Sequence, residues 1–566
     1  MKRNLKISKT SAFLFKITVV FATFMLSSCG VKKSLKHQPD LSSYTTNTVE
    51  KTLINDSTFK VNKSFLTKNK FGLYELYVEG NAYQRGLDIG VLTKDLMYTQ
   101  EKVFFDKIKT LVPSEGKQKF LQKFLHWYNR KIYKHIPNEF KAEIYGVSRY
   151  ASEDFNGIAT PYLRSLYLHG AHDIGHALQD LALVGCTSFA VWDDKTEDGN
   201  LLIGRNFDFY AGDDFAKNKM IAFVKPDQGY AFMSVTWGGM IGVVSGMNVE
   251  GLTVTINAGK SKIPLVAKTP ISILTREILQ YASTIEEAIE IAKKREVFVS
   301  ESILVGSSKS NNAVLIEVSP KNFGVYKVEN SSELVCSNHF QSDAYAKDNR
   351  NLKTIKESHT AYRYERAEQL LENHDKINPE KAVEILRDTK GLNDKHIGFG
   401  NEKALNQLLA HHGIVFQPKD LKVWVSSNPY QLGAFVAYDL HTVFDESFHI
   451  SNDQNIYNAD WVISKDDFVN TEAFRHYEAY RKQERLLEQQ LENNTVSATQ
   501  DFSAFINLNP EYWKAYYLVG LHYYNQKEYA KALSYFETSK TKEVTTLLDE
   551  ERLEKLIKKS NRKAKK

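Results

Sequence analysis

The amino-acid sequence predicts an α+β fold followed by a helical C-terminal extension. Three observations predict it. Residues 81–183 have mainly helical periodicity, residues 186–257 are dominated by strand-like runs separated by glycine and aspartate, and the pattern after about Val462 is wholly helical. Between these regions, strand-like and helical segments alternate in blocks, which is typical of sheets covered by helices.

The individual elements follow from periodicity and end signals. Alternation at 74–78 predicts a short strand, and residues 117–133 form an amphipathic helical run. Thr284 and Glu287 form a capping box that begins a helix ending at Lys294. Helices are also predicted from Ser358 and Pro379, and strands at 302–306, 313–318, 323–328, 334–337, 414–416, 422–425 and 435–438.

The C-terminal region, residues 461–566, contains one recognisable repeat pattern. The spacing resembles a single tetratricopeptide repeat and is carried by Gly520, Tyr523, Tyr529, Ala532 and Phe536. One repeat cannot form a binding solenoid, so we expect it to pack against the body of the chain or against its own degenerate neighbour. The sequence indicates no particular protein partner for them.

The distribution of charge along the chain argues against a nucleic-acid partner. The 566 residues include 74 Lys and Arg against 68 Asp and Glu, a net charge of +6. Five basic residues and no acids lie in positions 1–28, and six more basic residues lie in 558–566, so the body between them is mildly acidic. We therefore expect no nucleic-acid partner.

The first 28 residues predict an export signal. A basic start precedes an apolar stretch at 12–26 and then Leu-Ser-Ser-Cys-Gly, with the cysteine at position 29. This resembles a bacterial lipoprotein signal, which implies that residues 1–28 are removed and that Cys29 is acylated, holding an exported protein at a membrane of the cell envelope. The alternatives are an ordinary secretory signal and a signal anchor. Residues 29–70 are expected to be a tether.

Two cysteines follow Cys29, and their sequence surroundings predict different roles for them. Cys336 lies in an apolar strand-like run and is expected to be a small buried hydrophobic residue. Cys186 begins the first of two β-rich runs whose spacing predicts a β-hairpin. Arg205 and Asp208 lie near the end of the second run. A thiol beside a guanidinium and a carboxylate is a candidate nucleophile.

These motifs resemble a known family. Gly-Cys-Thr-Ser, followed about twenty residues later by Gly-Arg-Asn-x-Asp-Phe, is similar to the cysteine N-terminal-nucleophile (Ntn) hydrolases. The acyl-coenzyme A:6-aminopenicillanic acid acyltransferase family is the best fit; penicillin-V acylase, bile-salt hydrolase and acid ceramidase are related. The resemblance implies an αββα four-layer sandwich with a catalytic core at 186–460, after a mainly helical pro-segment at 71–185.

The resemblance also implies site residues and a reaction. The precursor would break between Gly185 and Cys186, and the freed α-amino group would be the base, held by Asp208, while Arg205 stabilises the thiolate. Asn338, with Asn257 or a backbone N–H, would bind the oxyanion, and Arg363, with Arg366 as the alternative, would be a second active-site arginine. The substrate would be a small-molecule N-acyl amide, cleaved or transferred through an acyl-thioester, with no cofactor and no metal.

Three alternatives stay open. A papain-like site would pair Cys186 with His339 or His359, but a cysteine at a strand start argues against it. His169, His172, Asp173 and His176 have helical spacing on one face and could ligate a metal, although nearby glycines weaken that helix. The chain could also be a lipid-anchored interaction protein on a non-catalytic Ntn scaffold.

Overall fold

A computed structural model describes residues 30–565, except positions 172, 174–184, 211, 263, 265, 447–454 and 497–499. The export signal at 1–28, the lipidation site Cys29, His172 and His176 lie outside the described residues. No helix within the described ranges has the length and apolar content needed to cross a bilayer.

Within the described residues the first sheet has eleven strands. They are β1 (Thr52–Asn55), β2 (Thr58–Val61), β3 (Ser64–Lys68), β4 (Tyr74–Gly80), β7 (Met220–Pro226), β8 (Phe232–Thr236), β9 (Ser245–Asn248), β10 (Leu252–Ala258), β11 (Glu301–Ser307), β12 (Asn312–Ser319) and β13 (Asn322–Tyr326). Their order across the sheet is β1-β2-β3-β4-β7-β8-β9-β10-β11-β12-β13. Neighbouring strands are antiparallel except β4 and β7, which are parallel.

The second sheet has seven strands in the described part of the chain. They are β5 (Thr187–Val191), β6 (Leu202–Phe207), β14 (Glu333–Cys336), β15 (His412–Gln417), β16 (Lys422–Ser426), β17 (Phe435–Asp439) and β18 (Asn458–Ile463). Their order is β14-β5-β6-β15-β16-β17-β18. β5 and β6 are the predicted hairpin, and they pair antiparallel with Ser188 opposite Arg205.

Helices cover the outer faces of both sheets and form the C-terminal region. They are α1 (Ala82–Leu92), α2 (Lys94–Leu111), α3 (Glu115–Tyr128), α4 (Asn138–Ser148), α5 (Pro161–His169), α6 (Ile271–Tyr281), α7 (Ile285–Lys294), α8 (Asn349–Glu357), α9 (Thr360–Glu372), α10 (Pro379–Leu386), α11 (Leu440–Val443), α12 (Glu472–Asn493), α13 (Phe502–Asn507), α14 (Trp513–Asn525), α15 (Tyr529–Thr541) and α16 (Leu547–Ala564).

Side-chain alternation along the strands produces the layers. In β7, Ala222 and Val224 pack toward α1, α4, α6 and α7, whereas Ile221 and Phe223 pack against the second sheet. The outer face of the second sheet, including Phe189, buries apolar side chains of α9 and α10. The order is therefore helix, sheet, sheet, helix, and the predicted αββα sandwich is confirmed.

The segment preceding β4 differs from the predicted tether. Residues 52–68 form β1, β2 and β3 and extend the first sheet, and the His37 ring stacks on the Tyr133 ring with centroids 4.2 Å apart. Short polar strands joined by Asn-containing turns explain the difference, since Asn62 takes a left-handed conformation (φ 53°) between β2 and β3. The tether prediction is wrong for this stretch.

The C-terminal helices pack on the sandwich, as the sequence predicts. Within this region α14 and α15 form a helical hairpin in which Gly520 lies against Phe536. Glu543 forms ion pairs with Lys403 and Lys395 of the sandwich at 2.6 and 2.8 Å. The tetratricopeptide resemblance of this hairpin stays a prediction.

Candidate active site

Cys186 lies immediately before β5, and its side chain is 1% exposed. Strand pairing explains which residues surround it, because Ser188 in β5 lies opposite Arg205 in β6. The hairpin therefore brings Arg205 beside Cys186, and an Arg205 Nη2 hydrogen donates to the Cys186 sulfur at 3.9 Å. Cys336 lies in the core between the sheets, as expected, and both thiols are free.

Arg205 is held rigidly although it is fully buried. One guanidinium nitrogen donates to the Val244 carbonyl at 3.0 Å and to the Ser245 hydroxyl, and the other donates to the Ile256 carbonyl. Its guanidinium also lies 4.4 Å from the Phe207 ring centroid. These contacts hold the positive charge of the guanidinium next to the Cys186 sulfur.

Asp208 follows β6 and is fully buried. Its backbone carbonyl accepts a hydrogen bond from the Gly185 N–H at 3.2 Å, and its Oδ1 accepts one from Gln431 Nε2 at 3.5 Å. Its Oδ2 has no hydrogen-bond partner among the described residues. Burial raises the pKa of Asp208 to about 7, against the lowering effect of Arg363 and Arg205.

Gln407 contacts the peptide bond between Gly185 and Cys186. Gln407 Nε2 donates to the Gly185 carbonyl at 2.9 Å. A Cβ atom at position 185 would collide with the Gln407 side-chain amide, so the contact favours glycine.

Arg363, near the start of α9, is the second arginine of the site. Its Nη1 donates to the Cys186 carbonyl at 2.8 Å and to Thr187 Oγ1 at 2.6 Å, and its Nη2 donates to Asn338 Oδ1 at 2.6 Å. The alternative, Arg366, instead forms ion pairs with Asp388 and Asp394, each at 2.8 Å. Of the two arginines, only Arg363 contacts Cys186 in the described structure.

The two asparagines differ in what their amides can still bind. Asn257 Nδ2 donates to the carbonyls of Cys336 at 2.9 Å and Ser337 at 3.4 Å, so this amide is engaged by two adjacent carbonyls. Asn338 Nδ2 donates to the Ala258 carbonyl at 2.9 Å, and its second N–H has no acceptor among the described residues. Asn338 therefore keeps a donor for an oxyanion, whereas Asn257 ties β10 to the end of β14.

Burial controls the protonation of Cys186. It raises the pKa of the thiol to about 11, and the nearby Arg205 charge only partly offsets this effect. The intact chain therefore holds Cys186 as a neutral thiol, which has to pass its proton to a base before the sulfur can attack.

Neither candidate histidine bonds to Cys186 in the described structure. His359 Nδ1 accepts a hydrogen bond from Arg363 Nε at 3.1 Å, and His339 Nδ1 lies 3.1 Å from Thr360 Oγ1. Burial, with Arg363 nearby, lowers the pKa of His339 to about 4. The contacts therefore do not support a papain-like pair.

His169 and Asp173, from the predicted metal-ligand cluster, are engaged by the backbone. His169 Nε2 accepts a hydrogen bond from the Ile241 N–H at 3.0 Å, and Asp173 Oδ2 accepts one from the Ile271 N–H at 2.7 Å. No group of three His, Cys, Asp or Glu side chains with metal-ligand geometry occurs among the described residues.

An apolar cavity of about 50 Å³ lies next to two of the residues that hold Arg205. Val244 and Ile256, whose carbonyls accept hydrogen bonds from Arg205, line it. Large apolar side chains that also line it include Met97, Phe104, Leu168, Phe215, Trp237 and Met240, and the polar residues Glu101 and His169 line it as well. A molecule in this cavity would present an apolar group beside the arginine that contacts Cys186.

Gln407, Gln431 and Ser245 are site residues that the sequence did not indicate. Ser245 Oγ receives a hydrogen bond from Arg205 and lies 2.9 Å from His412 Nε2. The two glutamines lie in loops more than 200 positions from the residues they contact. No motif or periodicity marks any of them.

Parts of this chain are similar to known proteins. Residues 195–429 match the model of the family described as acyl-coenzyme A:6-aminopenicillanic acid acyl-transferase. An N-acylethanolamine-hydrolyzing acid amidase of Caenorhabditis elegans is 26% identical over 207 residues, which is 35% of this chain and 55% of that protein. A protein of Archaeoglobus fulgidus is 26% identical over 276 residues, 45% of each chain. The chain spans about half the length of the curated relatives it matches.

Solved structures of two enzymes also align with part of this chain. The Caenorhabditis elegans N-acylethanolamine-hydrolyzing acid amidase ortholog aligns with a TM-score of 0.31 and 20% identity, over 41% of this chain and 93% of that one. A mutant of conjugated bile acid hydrolase from Clostridium perfringens aligns with a TM-score of 0.30 and 15% identity, over 45% of this chain and 92% of that one.

Proposed function

We propose that this chain is a self-processing cysteine amidase of the N-terminal-nucleophile type, which hydrolyses an N-acyl amide through an acyl-thioester on Cys186. One observation carries the proposal. The Cys186 thiol lies against the Arg205 guanidinium, next to a buried Asp208 carboxyl whose Oδ2 has no partner among the described residues. A buried carboxyl oxygen in this position suits an α-ammonium group released at Cys186.

Processing is the first step. The Gly185–Cys186 amide is hydrolysed, which leaves a carboxylate on Gly185 and an α-amino group on Cys186. The hydrogen bond from Gln407 to the Gly185 carbonyl supports this step, because it polarises the carbonyl that must be attacked. Arg363 donates a hydrogen bond to the Cys186 carbonyl and so holds the residue that follows the cleaved bond.

Turnover then uses the new terminus. The α-amino group, whose ordinary pKa is close to 8, takes the thiol proton, and the sulfur attacks the substrate carbonyl. The second N–H of the Asn338 side chain stabilises the oxyanion. The carbon–nitrogen bond breaks, the amine leaves with the proton, and water cleaves the thioester to release the acid and restore the thiol.

The cavity supports an apolar acyl group. At about 50 Å³ the cavity is smaller than the roughly 150 Å³ that holds one benzene molecule, so we propose that it receives only a short apolar segment of the acyl group, beside Val244 and Ile256. The C. elegans relative is named for hydrolysis of N-acylethanolamines, and we propose that substrates of this chain share an N-acyl amide bond.

We further propose that the protein is exported and held at the cell envelope by acyl chains on Cys29. A site away from cytoplasmic coenzyme A favours water over an amine acceptor, which is why we propose hydrolysis rather than transfer. Substitution Cys29→Ser should move the protein from the membrane fraction to the soluble fraction, whereas retention in the membrane would contradict the anchor.

A substrate panel tests the function. Purified wild-type protein and the Cys186→Ala variant would be assayed with amides of acetic, hexanoic and dodecanoic acid, with and without a free acceptor amine. We expect turnover by the wild type only, with released acid as the main product. Turnover by Cys186→Ala would refute the proposal, and acyl transfer far exceeding hydrolysis would make the enzyme a transferase.

A further inference from the structure

Two bulky residues beside the candidate site have left-handed backbone conformations. Leu408 and Tyr430 both have φ of 52°. Side chains with a Cβ rarely adopt this region, because the Cβ approaches the neighbouring carbonyl. Such a conformation persists only where surrounding contacts hold it, so the contacts of these two residues need an explanation.

Each strained residue adjoins a glutamine of the site. Gln407 precedes Leu408 and donates to the Gly185 carbonyl at 2.9 Å. Gln431 follows Tyr430 and donates to Asp208 Oδ1 at 3.5 Å. The backbone conformations of Leu408 and Tyr430 therefore affect the positions of the neighbouring Gln407 and Gln431 Cα atoms, from which the two side chains extend.

Helix α12 of the C-terminal region contacts both strained residues. Tyr477 Oη donates to the Leu408 carbonyl at 3.2 Å, and its ring packs with Leu408 and Leu432. Tyr430 Oη donates to Glu478 Oε1 at 2.7 Å and also accepts a hydrogen bond from Arg481. One turn of a single helix thus holds both loops.

We propose that helix α12 is a positioning element of the active site, in which Tyr477, Glu478 and Arg481 hold Gln407 and Gln431 in place through Leu408 and Tyr430. This inference rests on the proposed function, and it gives the C-terminal helices a catalytic role. Tyr477 and Tyr430 are positioning residues, since neither touches the Gly185–Cys186 bond. Leu408 and Tyr430 do not line the apolar cavity, so their effect falls on the chemical step rather than on substrate binding.

Single hydroxyl deletions test the proposal in the full-length protein. Tyr477→Phe removes the hydrogen bond to the Leu408 carbonyl, and Tyr430→Phe removes the hydrogen bonds with Glu478 and Arg481, so each variant loses contacts that helix α12 makes with a strained loop. Tyr480→Phe is the matched control, because Tyr480 lies on the same helix, is buried, and donates to Glu484 of that helix at 3.4 Å. The readouts are the rate of processing by intact mass, kcat and KM on N-dodecanoyl aminomethylcoumarin, and Tm.

We expect Tyr477→Phe, which acts through Gln407, to lower the processing rate at least about 5-fold. We expect Tyr430→Phe, which acts through Gln431 and Asp208, to lower both the processing rate and kcat at least about 5-fold with KM within about 2-fold, because misplaced catalytic groups slow chemistry. Tyr480→Phe should stay within about 2-fold of the wild type in every readout. In a Gln431→Ala background, Tyr430→Phe should cause no further loss, because the two changes act on one contact.

The proposal is overturned if Tyr477→Phe and Tyr430→Phe fold and match Tyr480→Phe in kcat and processing, or if their losses only follow Tm. If one of them fails to fold, the other decides. The Cys186→Ala variant separates the two claims on the same substrate. Activity of Cys186→Ala refutes the proposed function, whereas inactive Cys186→Ala together with fully active tyrosine variants refutes only the role of α12.

Discussion

The side-chain amide of Gln407 donates a hydrogen bond to the carbonyl oxygen of Gly185 across 2.9 Å, although the two residues are 222 positions apart. The contact leaves no room for a Cβ at position 185. Packing against Gln407 therefore favours glycine at this position, and the bond proposed for cleavage lies against a hydrogen-bond donor.

Gly185→Ala should slow processing, because the new Cβ displaces either the scissile carbonyl or the Gln407 amide. A displacement of about 1 Å costs on the order of 10²-fold in rate in well-ordered sites. Intact-mass time courses measure the effect. Gly157→Ala is the control, since no atom lies within 4 Å of a Cβ at that position. Normal processing of Gly185→Ala would show that the Gln407 contact has no catalytic consequence.

Arg363→Lys should reduce turnover by about 10²-fold, because lysine keeps the charge but cannot bind Cys186 O, Thr187 Oγ1 and Asn338 Oδ1 together. Arg366→Lys is the matched control on the same helix and should lower Tm more than kcat, since its partners are Asp388 and Asp394. Steady-state kinetics of both variants decide between the two arginines. Equal losses in kcat would contradict the assignment to Arg363.

Asp208 should make the unprocessed protein less stable as the pH rises. Burial raises its pKa from 3.8 to about 7, so the folded chain binds a proton that the unfolded chain has released. Its contribution to stability is complete below pH 3.8 and is lost as the pH rises through about 7. Urea midpoints of Cys186→Ala protein between about pH 5 and pH 8 should therefore fall more steeply than those of the Cys186→Ala/Asp208→Asn double variant.

The control for that experiment is Asp213→Asn, also made in Cys186→Ala protein. Desolvation raises the pKa of Asp213, but Arg481, Tyr210 and Arg485 together lower it below its ordinary value of 3.8, so this group does not titrate in the tested window. Parallel pH slopes with and without Asp208 would contradict the buried carboxyl.

Filling the apolar cavity should discriminate between acyl chains. Met240→Trp places a larger side chain in the lining of this small cavity, and we expect KM for the hexanoyl amide to rise about 10-fold while that for the acetyl amide changes little. A steady-state comparison of the two substrates measures the difference. Equal effects on both would show that the cavity does not receive the acyl group.

The features predicted correctly from sequence are those with local signals. The β5–β6 hairpin follows from two β-rich runs around a Gly/Asp turn, and antiparallel pairing then places Arg205 beside Cys186. The helical C-terminal region follows from its periodicity. Both are consequences of residues close together in the chain.

Other features depend on contacts between distant segments. Gln407 and Gln431 reach the site from loops without periodicity, and the left-handed backbone of Leu408 contradicts the usual preference of leucine. The strands at 52–68 were missed because short polar strands at a sheet edge resemble a linker in composition. The different roles of Asn257 and Asn338 also could not be predicted from sequence, since they depend on which carbonyls accept hydrogen bonds from the two side-chain amides.

The most direct test of the account is the mass and N-terminal sequence of purified mature protein, compared with the Cys186→Ala variant. We expect the wild type to contain a chain that begins Cys-Thr-Ser-Phe and a second chain that ends at Gly185, while the variant stays uncleaved and inactive. A single unbroken wild-type chain that turns over N-acyl amides, or an active Cys186→Ala protein, would contradict it.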